Sequence, residues 1–571
     1  MKKGTDDLPA NRRRLLLAAL ALCVLAVLPY IRSLDSGFCW DDYTTFLSGR
    51  DVKGDVVRTG FRTLGGAWHS SRFRRLPFLT YGIDYRLGGA YGRAHPLPFR
   101  LTGIALHVAL VLLAWSAWLG ISRRLGADGF VPASLGAAVL AVHPLASESV
   151  LYAAARPGTM LAVCTVGTLA CLYGGLNRSG GKRWALLAGA AACLALGTLC
   201  KETGFFVPPA VAAAALAVTE RRRLRGARYA ALLLVPLALL WILHPARNDL
   251  RAGIARRFAP RTVTDDHFGL GQDFEFNAPN FVATQTRTFW RAASLAVFPF
   301  LRQNVDHRVR WNDGPWNPPW TVPAALGLLL VPAALVFAYL RREDGGGLPA
   351  VAALIVVLGY LPYLVVPGLQ PLVEHRLLIP LAGLTLLAGC AFGALDVRRR
   401  PVAAAAAAVV LALGAAAFVR TGAWENEVTL WRDAVEKNGD RVRSKVELAV
   451  ALARDRFRNP ASLDEAVRLL EGVVRHHPDN ILALGDLAAI LTLTNRERDA
   501  IPHLERMRDL GTVRPRHVFL LAWLYGKYGR RDDALRTLDA VEPRLPSSLR
   551  SRARDLRSRL NSPTYPRSPS R

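Results

Sequence analysis

Residues 101–120, LTGIALHVALVLLAWSAWLG, contain no Asp, Glu, Lys or Arg and are closely followed by the basic pair Arg123 and Arg124. A helix needs about 20 mostly apolar residues to cross the hydrocarbon core of a bilayer. Comparable apolar runs recur along the chain from Leu15 to Phe418. The sequence therefore predicts a polytopic membrane protein.

The composition combines apolar and basic residues. Of 571 residues, 51% are hydrophobic, yet the formal net charge is +29. The basic residues fall in short clusters between apolar runs, as loops on the cytoplasmic side do. These clusters are Arg123–Arg124, Lys182–Arg183, Arg221–Arg225, Arg341–Arg342 and Arg398–Arg400. The charge therefore indicates contact with anionic lipid rather than nucleic acid.

With these clusters on the cytoplasmic side, eleven spans are predicted. They are residues 15–31, 101–120, 131–150, 158–176, 184–199, 203–219, 229–244, 321–340, 348–367, 377–395 and 401–419. The first run lacks a small-x-small cleavage site and is predicted to remain as an anchor rather than act as a signal peptide. Residues 288–301 are predicted to be a re-entrant or interfacial helix, since a further crossing would move later basic clusters outside.

This topology assigns residues 1–14 to a basic cytoplasmic tail and 15–425 to a membrane domain with outer loops 32–100 and 245–319. Residues 426–550 then lie outside the cytoplasm. The Ser-, Pro- and Arg-rich tail, 551–571, is predicted to be disordered.

The segment 426–550 contains three similar helical stretches, LDEAVRLLEGVV, ERDAIPHLERMR and RDDALRTLDAVE. Their alanines, Ala466, Ala500 and Ala534, recur at intervals of 34 residues, as do Ala488 and Ala522. A 34-residue period of paired helices is typical of tetratricopeptide repeats, in which small residues allow close helix crossing. The predicted fold is therefore all-α, a membrane helical bundle followed by an α-solenoid; a bundle with coincidental periods is the alternative.

The first candidate site is FCWDDYTTF, residues 38–46, just after the first span. Asp41 and Asp42 lie there among aromatic residues. Outer-loop acids are commonly solvated or cap helices, but ionisable groups at membrane depth are expected to be functional. The pair is a candidate for catalysis.

Further charged groups adjoin apolar runs at the predicted outer face. They are His143, Glu148 and Arg156 in HPLASESVLYAAARPG; Lys201 and Glu202 in LCKETG; Glu374, His375 and Arg376 in EHRLLIPLAG; and Asp265, Asp266 and His267 in TVTDDHFGLGQDFEF. Pairing of Glu148 with Arg156 is expected, because unpaired charges there are costly. The forked guanidinium of Arg376 suits a phosphate.

Each group also has a structural interpretation. His143 can end a helix before Pro144, Lys201 can extend to the interface, and Glu202 can cap the next helix. The acids of residues 265–267 are more typical of a solvated loop than of a metal site. The seven cysteines match no metal or haem spacing. A disulfide between Cys39 and Cys200, the two nearest membrane boundaries, is left open.

The order of these motifs resembles a known family. GFCWDDY, RRLPFLTYGIDYRLGG, HPLPFRLTGIALHVALVLL, HPLASESVLYAAARPG, LCKETG and EHRLLIPLAG, followed by the repeats, are similar to the transmembrane and tetratricopeptide-repeat proteins of the GT-C glycosyltransferase superfamily, relatives of protein O-mannosyltransferases. The resemblance implies transfer of a mannose-like sugar from a polyprenyl-phosphate carrier to Ser or Thr hydroxyls of proteins on the outer face. It matches the catalytic acid pair of that superfamily to Asp41 and Asp42.

This chemistry suits the candidate residues. Phosphate is a good leaving group, so the reaction needs a base for the attacking hydroxyl and cations for the departing phosphate. Asp41 is predicted as the base, with Asp42 orienting or tuning it, and Arg156, Lys201 and Arg376 as phosphate ligands. No cofactor or metal is predicted; the expected partners are the lipid donor, a protein acceptor on the repeats and the bilayer of a bacterial inner membrane.

Two alternatives remain. One is transfer of the sugar to a lipid or glycan. The other is a non-catalytic membrane scaffold that presents its repeats for assembly, although a scaffold has no need of Asp41, Glu148, Lys201 and Arg376 together.

Overall fold

The computed structural model describes residues 7–42, 74–88, 95–220, 259–263, 274–341, 347–365, 370–395, 399–511 and 515–562, apart from 301, 302, 313, 315, 440, 458 and 546, together with the isolated residues 242, 252 and 255. The chain divides into two compact units. The first comprises Met1–Pro260 and Phe276–Leu430, and the second comprises Arg261–Glu275 and Trp431–Arg571.

Helices account for nearly all regular structure in the first unit. They are α1 Asp7–Val27, α2 Arg75–Gly88, α3 Pro96–Arg124, α4 Phe130–Val142, α5 Ser147–Leu151, α6 Arg156–Leu176, α7 Gly180–Cys200, α8 Val207–Thr219, α9 Ala278–Val297, α10 Thr321–Arg341, α11 Gly347–Val365, α12 Leu378–Ala394 and α13 Arg400–Ala423. Short 3₁₀ helices occupy Leu28–Asp35, Pro144–Ala146, Ala153–Ala155, Glu202–Phe205 and Glu374–Leu377. The predicted helical class is confirmed. Two three-residue strands, β1 Arg261–Val263 and β2 Phe274–Phe276, form a small sheet that the sequence did not predict.

Among the described residues, eight helical segments are long and apolar enough to cross a membrane, or nine if a bent pair counts as one. The eight are Arg12–Asp35, Pro96–Arg124, Ala153–Leu176, Gly180–Cys200, Glu202–Thr219, Gly347–Leu364, Glu374–Ala394 and Arg400–Ala423. The protein is therefore a multi-pass membrane protein. The predicted span 229–244 lies outside the described residues except for Ile242, and α10 covers the predicted span 321–340.

The predicted span 131–150 is bent, since the chain turns by 54° between Phe130–Val142 and Pro144–Leu151. His143 is extended there, and Pro144 has no N–H to continue the helical ladder. The His143 Nδ1 atom accepts the Leu145 N–H at 3.2 Å, which satisfies the start of the next turn. His143 therefore ends one helix and caps the following turn, as its structural interpretation predicted.

The predicted interfacial segment 288–301 belongs to a longer helix. Helix α9 begins after Asn277, whose side chain accepts the Asn280 N–H at 2.9 Å, and ends at Val297. It is absent from the candidate spans found among the described residues.

Close helix packing surrounds the region of the candidate site. Helix α6 packs along α7 and α3, and α12 packs against α4 and α11. A Cβ atom on Gly103 of α3 would collide with the Val150 carbonyl oxygen, so this glycine permits the close approach of α3 to α5. The bundle thus fixes residues 147–156, which carry several candidate side chains.

The second unit contains a series of short helices. They are the later part of α14 Glu427–Asn438, then α15 Val442–Asp455, α16 Ser462–His476, α17 Ile481–Leu493, α18 Glu497–Asp509, α19 Pro515–Lys527, α20 Arg531–Val541 and α21 Ser547–Asn561. Consecutive helices from α15 to α20 pack against one another. Helix α21 includes residues 551–561, so the predicted disorder of the tail 551–571 is wrong for them. The periodic alanines Ala466, Ala488, Ala500, Ala522 and Ala534 are all fully buried.

Candidate active site

The acid pair presents two different environments. Asp42 is fully buried, and its carboxylate accepts the Ala154 N–H at 2.9 Å and the Cys39 N–H at 3.4 Å. Burial raises the pKa of Asp42 to about 6, although the Arg100 guanidinium and these two N–H groups oppose the increase. Asp41 is exposed. Asp42 therefore anchors the turn, and Asp41 is the acid that a substrate can reach.

An aromatic frame surrounds Asp41. The Tyr152 hydroxyl hydrogen-bonds to the Asp41 carboxylate. The Trp40 ring stacks on the Tyr152 ring with centroids 5.6 Å apart and an interplanar angle of 11°. Trp40 adopts a left-handed φ of 52°, an uncommon backbone conformation for a residue other than glycine. The centroids of the Trp424 and Tyr152 rings are 5.7 Å apart. These rings fix the direction in which Asp41 points.

A buried carboxylate and an imidazole lie beside this frame. Glu148 Oε1 accepts a hydrogen bond from His375 Nδ1 at 2.6 Å, and the His375 ring is 6.0 Å from that of Tyr152. The second oxygen, Glu148 Oε2, and the Trp424 Nε1 atom are buried and have no hydrogen-bond partner among the described residues. Buried polar atoms in native proteins are nearly always bonded, so these two atoms indicate a place for a polar ligand.

A cation cluster, defined as Arg74, Lys201 and Arg376, surrounds Tyr363. Lys201 Nζ lies 5.3 Å and Arg376 Cζ 5.7 Å from the Tyr363 ring centroid. Arg74 pairs with Glu202 at 3.0 Å, and its pKa is raised because the pull of Glu202 outweighs burial. Among the described residues, these three cations form one ion pair, that of Arg74 with Glu202. Their excess positive charge favours an anionic ligand.

His375 links the two halves of this arrangement. It contacts Tyr152 on one side and interacts electrostatically with Arg376 and Lys201 on the other. The structure therefore brings Asp41, Glu148, His375, Lys201 and Arg376 into one neighbourhood of the first unit.

The predicted pairing of Glu148 with Arg156 is wrong. Glu148 pairs with His375, whereas Arg156 pairs with Asp84 at 2.6 Å. Arg156 is 2% exposed, and it also donates to Thr80 Oγ1 at 3.1 Å and to the Phe99 carbonyl at 3.3 Å. Its N–H groups hold α2, α3 and α6 together, which leaves it poorly placed to bind a phosphate.

Two other candidates are also used by the fold. The His143 Nε2 atom bonds to the Ala296 carbonyl at 2.8 Å. Glu374 is fully buried and accepts the Asn304 N–H at 2.7 Å and the His307 Nε2 at 2.9 Å. His143 bonds to helix α9, and Glu374 bonds to the segment that follows α9. Both side chains therefore connect this part of the chain to the core instead of facing an open site.

Residues 265–267 lie outside the described residues, so Asp265, Asp266 and His267 stay predictions. In the part of the chain that the structure describes, no three His, Cys, Asp or Glu side chains are grouped as a metal site. Cys39 and Cys200 are both free thiols, so the disulfide left open by the sequence is not formed.

Several site residues were missed by sequence reasoning. Tyr152, Trp424, Arg74 and Tyr363 come from four separate segments, and only their position in the fold reveals them. Arg74 and Tyr152 do lie inside the quoted motifs RRLPFLTYGIDYRLGG and HPLASESVLYAAARPG. The motif boundaries were therefore the signal for these two.

Fold and site together define a multi-pass membrane protein with an exposed carboxylate in an aromatic frame beside a cation cluster. No protein-family model matches the chain. Mouse protein O-mannosyl-transferase TMTC4 is 25% identical over an alignment of 485 residues that covers 73% of this chain and 61% of that protein. Fruit-fly protein O-mannosyl-transferase Tmtc1 is 30% identical over 200 residues, 33% of this chain and 21% of that protein.

The chain is thus similar in sequence to the TMTC proteins, which confirms the resemblance predicted from its motifs. It spans about 61% of the length of mouse TMTC4. A crystal structure of ArnT from Cupriavidus metallidurans, bound to undecaprenyl phosphate, aligns with a TM-score of 0.41 and 16% identity over 84% of this chain and 78% of ArnT.

Proposed function

We propose that the protein is a membrane glycosyltransferase of GT-C type that transfers a mannose-like sugar from a polyprenyl-phosphate carrier to Ser or Thr hydroxyls of proteins. The observation that carries the proposal is the exposed Asp41 carboxylate, which Tyr152 holds and which Tyr152 and His375 connect to the cation cluster. Its relatives are named protein O-mannosyl-transferases. The acceptor side is the non-cytoplasmic face of a bacterial inner membrane.

In the proposed reaction, the acceptor oxygen attacks the anomeric carbon of the sugar and forms the new C–O bond. The bond from that carbon to the carrier phosphate breaks, and the phosphate keeps the electron pair. The hydroxyl proton passes to Asp41, and a positioned base of this kind contributes about 10² to 10⁴-fold. Asp42, anchored to Ala154 and Cys39, holds the turn that presents Asp41.

Lys201 and Arg376 hold the departing phosphate in this scheme. Among the described residues, the Arg376 side chain makes one hydrogen bond, to the Gln370 carbonyl at 3.3 Å, and the Lys201 side chain makes one, to the Tyr363 hydroxyl at 3.5 Å. Both therefore have N–H donors left for phosphate oxygens, whereas Arg156 does not enter the scheme. Stabilising the charge that develops on the leaving group is usually one of the largest contributions to an enzyme's rate enhancement.

In this scheme Glu148 and His375 position the sugar, and Glu202 positions a cation near the phosphate. Glu148 orients His375 through the 2.6 Å bond and keeps its second oxygen available for a sugar hydroxyl. Glu202 holds Arg74 beside the other cations. His143 and Glu374 hold backbone near the site through the Ala296 carbonyl and the Asn304 N–H.

Residues 426–550, most of which belong to the second unit, are proposed to form a tetratricopeptide-repeat domain that receives the protein acceptor. The three helix pairs α15–α16, α17–α18 and α19–α20 and the fully buried alanines at 34-residue intervals support this assignment. Helical repeats of this kind form extended concave surfaces that bind peptides.

Mass spectrometry of outer-face proteins from cells with and without the protein tests the proposed function. Cells that express the wild type should contain proteins carrying a hexose on Ser or Thr, and cells that express Asp41→Asn should not. Asp35→Asn, which changes an exposed acid six residues earlier, is the matched control and should retain the modification. If hexose appears only on lipid or glycan, the acceptor is a lipid or glycan and not a protein. If the outer-face proteins do not differ between the cells, the alternative of a non-catalytic scaffold is favoured.

A further inference from the structure

The second unit contains a groove of about 980 Å³ formed by helices α17, α19 and α21. Its floor is apolar, with contributions from Phe519, Leu520, Trp523 and Leu556. Trp523 is 36% exposed, which is unusual for so large an apolar side chain and leaves its ring accessible. An apolar floor of this kind suits an apolar side chain of a bound peptide.

The groove is bordered by basic side chains. Arg516, Arg552 and Arg559 line it and are exposed, and Asp555 is the acid that lines it. Asp555 already pairs with Arg559 at 3.0 Å. Arg516 and Arg552 have no hydrogen-bond or ion-pair partner among the described residues. The groove therefore offers two guanidinium groups that an external carboxylate can bind.

From this combination we infer that the groove binds an extended acidic peptide segment, with one apolar or aromatic side chain on the floor and carboxylates on Arg516 and Arg552. The segment belongs to another protein. Residues 563–571 of this chain carry Arg567 and Arg571 and no Asp or Glu, so their side chains lack the carboxylates that the two arginines would bind. The inference specifies the acceptor class within the proposed function.

Binding can be measured without a sugar donor, so this inference and the proposed function fail independently. The probe is a fluorescein-labelled nine-residue peptide with a central Leu-Phe pair flanked by Asp and Glu, titrated with the full-length protein in detergent micelles. Its matched control replaces every Asp and Glu by Asn and Gln. We expect the acidic peptide to bind at least tenfold more tightly than the amide peptide. A rise in salt should weaken the acidic peptide selectively, because exposed charges are screened.

The protein variants locate the site. The double change Arg516→Glu with Arg552→Glu should weaken the acidic peptide at least tenfold. Arg468→Glu changes an exposed arginine of α16 outside the groove and should leave binding unchanged. Trp523→Ala should weaken both peptides, since it removes the floor and not the charge. Circular dichroism of each variant establishes that the helices are retained.

Three results would overturn the inference. Equal binding of the acidic and amide peptides would show that the groove does not select carboxylates. Equal loss with Arg468→Glu would show that overall charge, and not the groove, attracts the peptide. Tighter binding of a ten-residue oligothymidylate, lost in the groove double variant, would assign the groove to a nucleic acid instead.

Discussion

Asp42→Asn should change how the stability of the protein depends on pH. Burial raises the pKa of Asp42 from 3.8 to about 6 in the folded protein. A carboxyl with a raised folded-state pKa contributes stability below its unfolded pKa, and this contribution is lost as pH rises through the folded pKa. One pKa unit is about 1.4 kcal/mol, so the shift of about two units corresponds to roughly 3 kcal/mol. The wild type should lose this amount relative to Asp42→Asn between about pH 4 and pH 7.

The assay is unfolding of both proteins by a denaturant in detergent micelles, followed by tryptophan fluorescence, at half-unit steps from pH 4 to pH 7.5. The Asn side chain keeps an oxygen for the Ala154 N–H and loses the weaker contact with the Cys39 N–H. Asp35→Asn is the control and should show no comparable trend relative to the wild type. A wild type that gains stability relative to Asp42→Asn as pH rises would refute the reasoning, because Arg100 and the N–H groups would then outweigh burial.

Three further changes test other parts of the site. Arg376→Ala should weaken binding of a polyprenyl phosphate at least tenfold, measured by tryptophan quenching. The control Arg123→Ala, at the C-terminal end of α3, should not weaken it. Equal affinities of Arg376→Ala and the wild type would remove Arg376 from the site. Arg156→Ala should lower stability by about 3 to 5 kcal/mol because it leaves Asp84 buried without its cation, and a loss of lipid affinity in a normally stable variant would contradict this structural role. Tyr152→Phe keeps the ring stack and removes the hydroxyl that holds Asp41, so kcat for sugar transfer should fall about tenfold with KM nearly unchanged; an unaltered kcat would show that Asp41 needs no such support.

Hydropathy and periodicity predicted the helices well because both patterns are local. The apolar run 101–120 lies inside α3, and the alanines at 34-residue intervals are buried between paired helices. The sequence offered a helix end at His143 before Pro144, but a proline in an apolar run can also be accommodated by a continuous helix, so the 54° bend was left undecided. Its cause is visible only with the hydrogen bond from the Leu145 N–H to His143.

Pairing between distant segments was the part that sequence could not supply. Glu148 and Arg156 are eight residues apart and of opposite charge, so an ion pair between them was the simplest prediction. The folded chain instead brings Glu148 to His375, 227 residues away, and Arg156 to Asp84 on α2. The predicted group of outer-face charges was nevertheless useful, because its members Lys201, His375 and Arg376 do lie close together.

The rate of sugar transfer by purified Asp41→Asn protein tests the central claim most directly. The wild type and the variant are supplied with undecaprenyl-phosphate mannose and an unmodified outer-face protein, and transfer and donor binding are measured on the same samples. We expect Asp41→Asn to lower the rate by about 10² to 10⁴-fold and to leave donor affinity close to that of the wild type. Transfer by Asp41→Asn at the wild-type rate would contradict the assignment of Asp41 as the base.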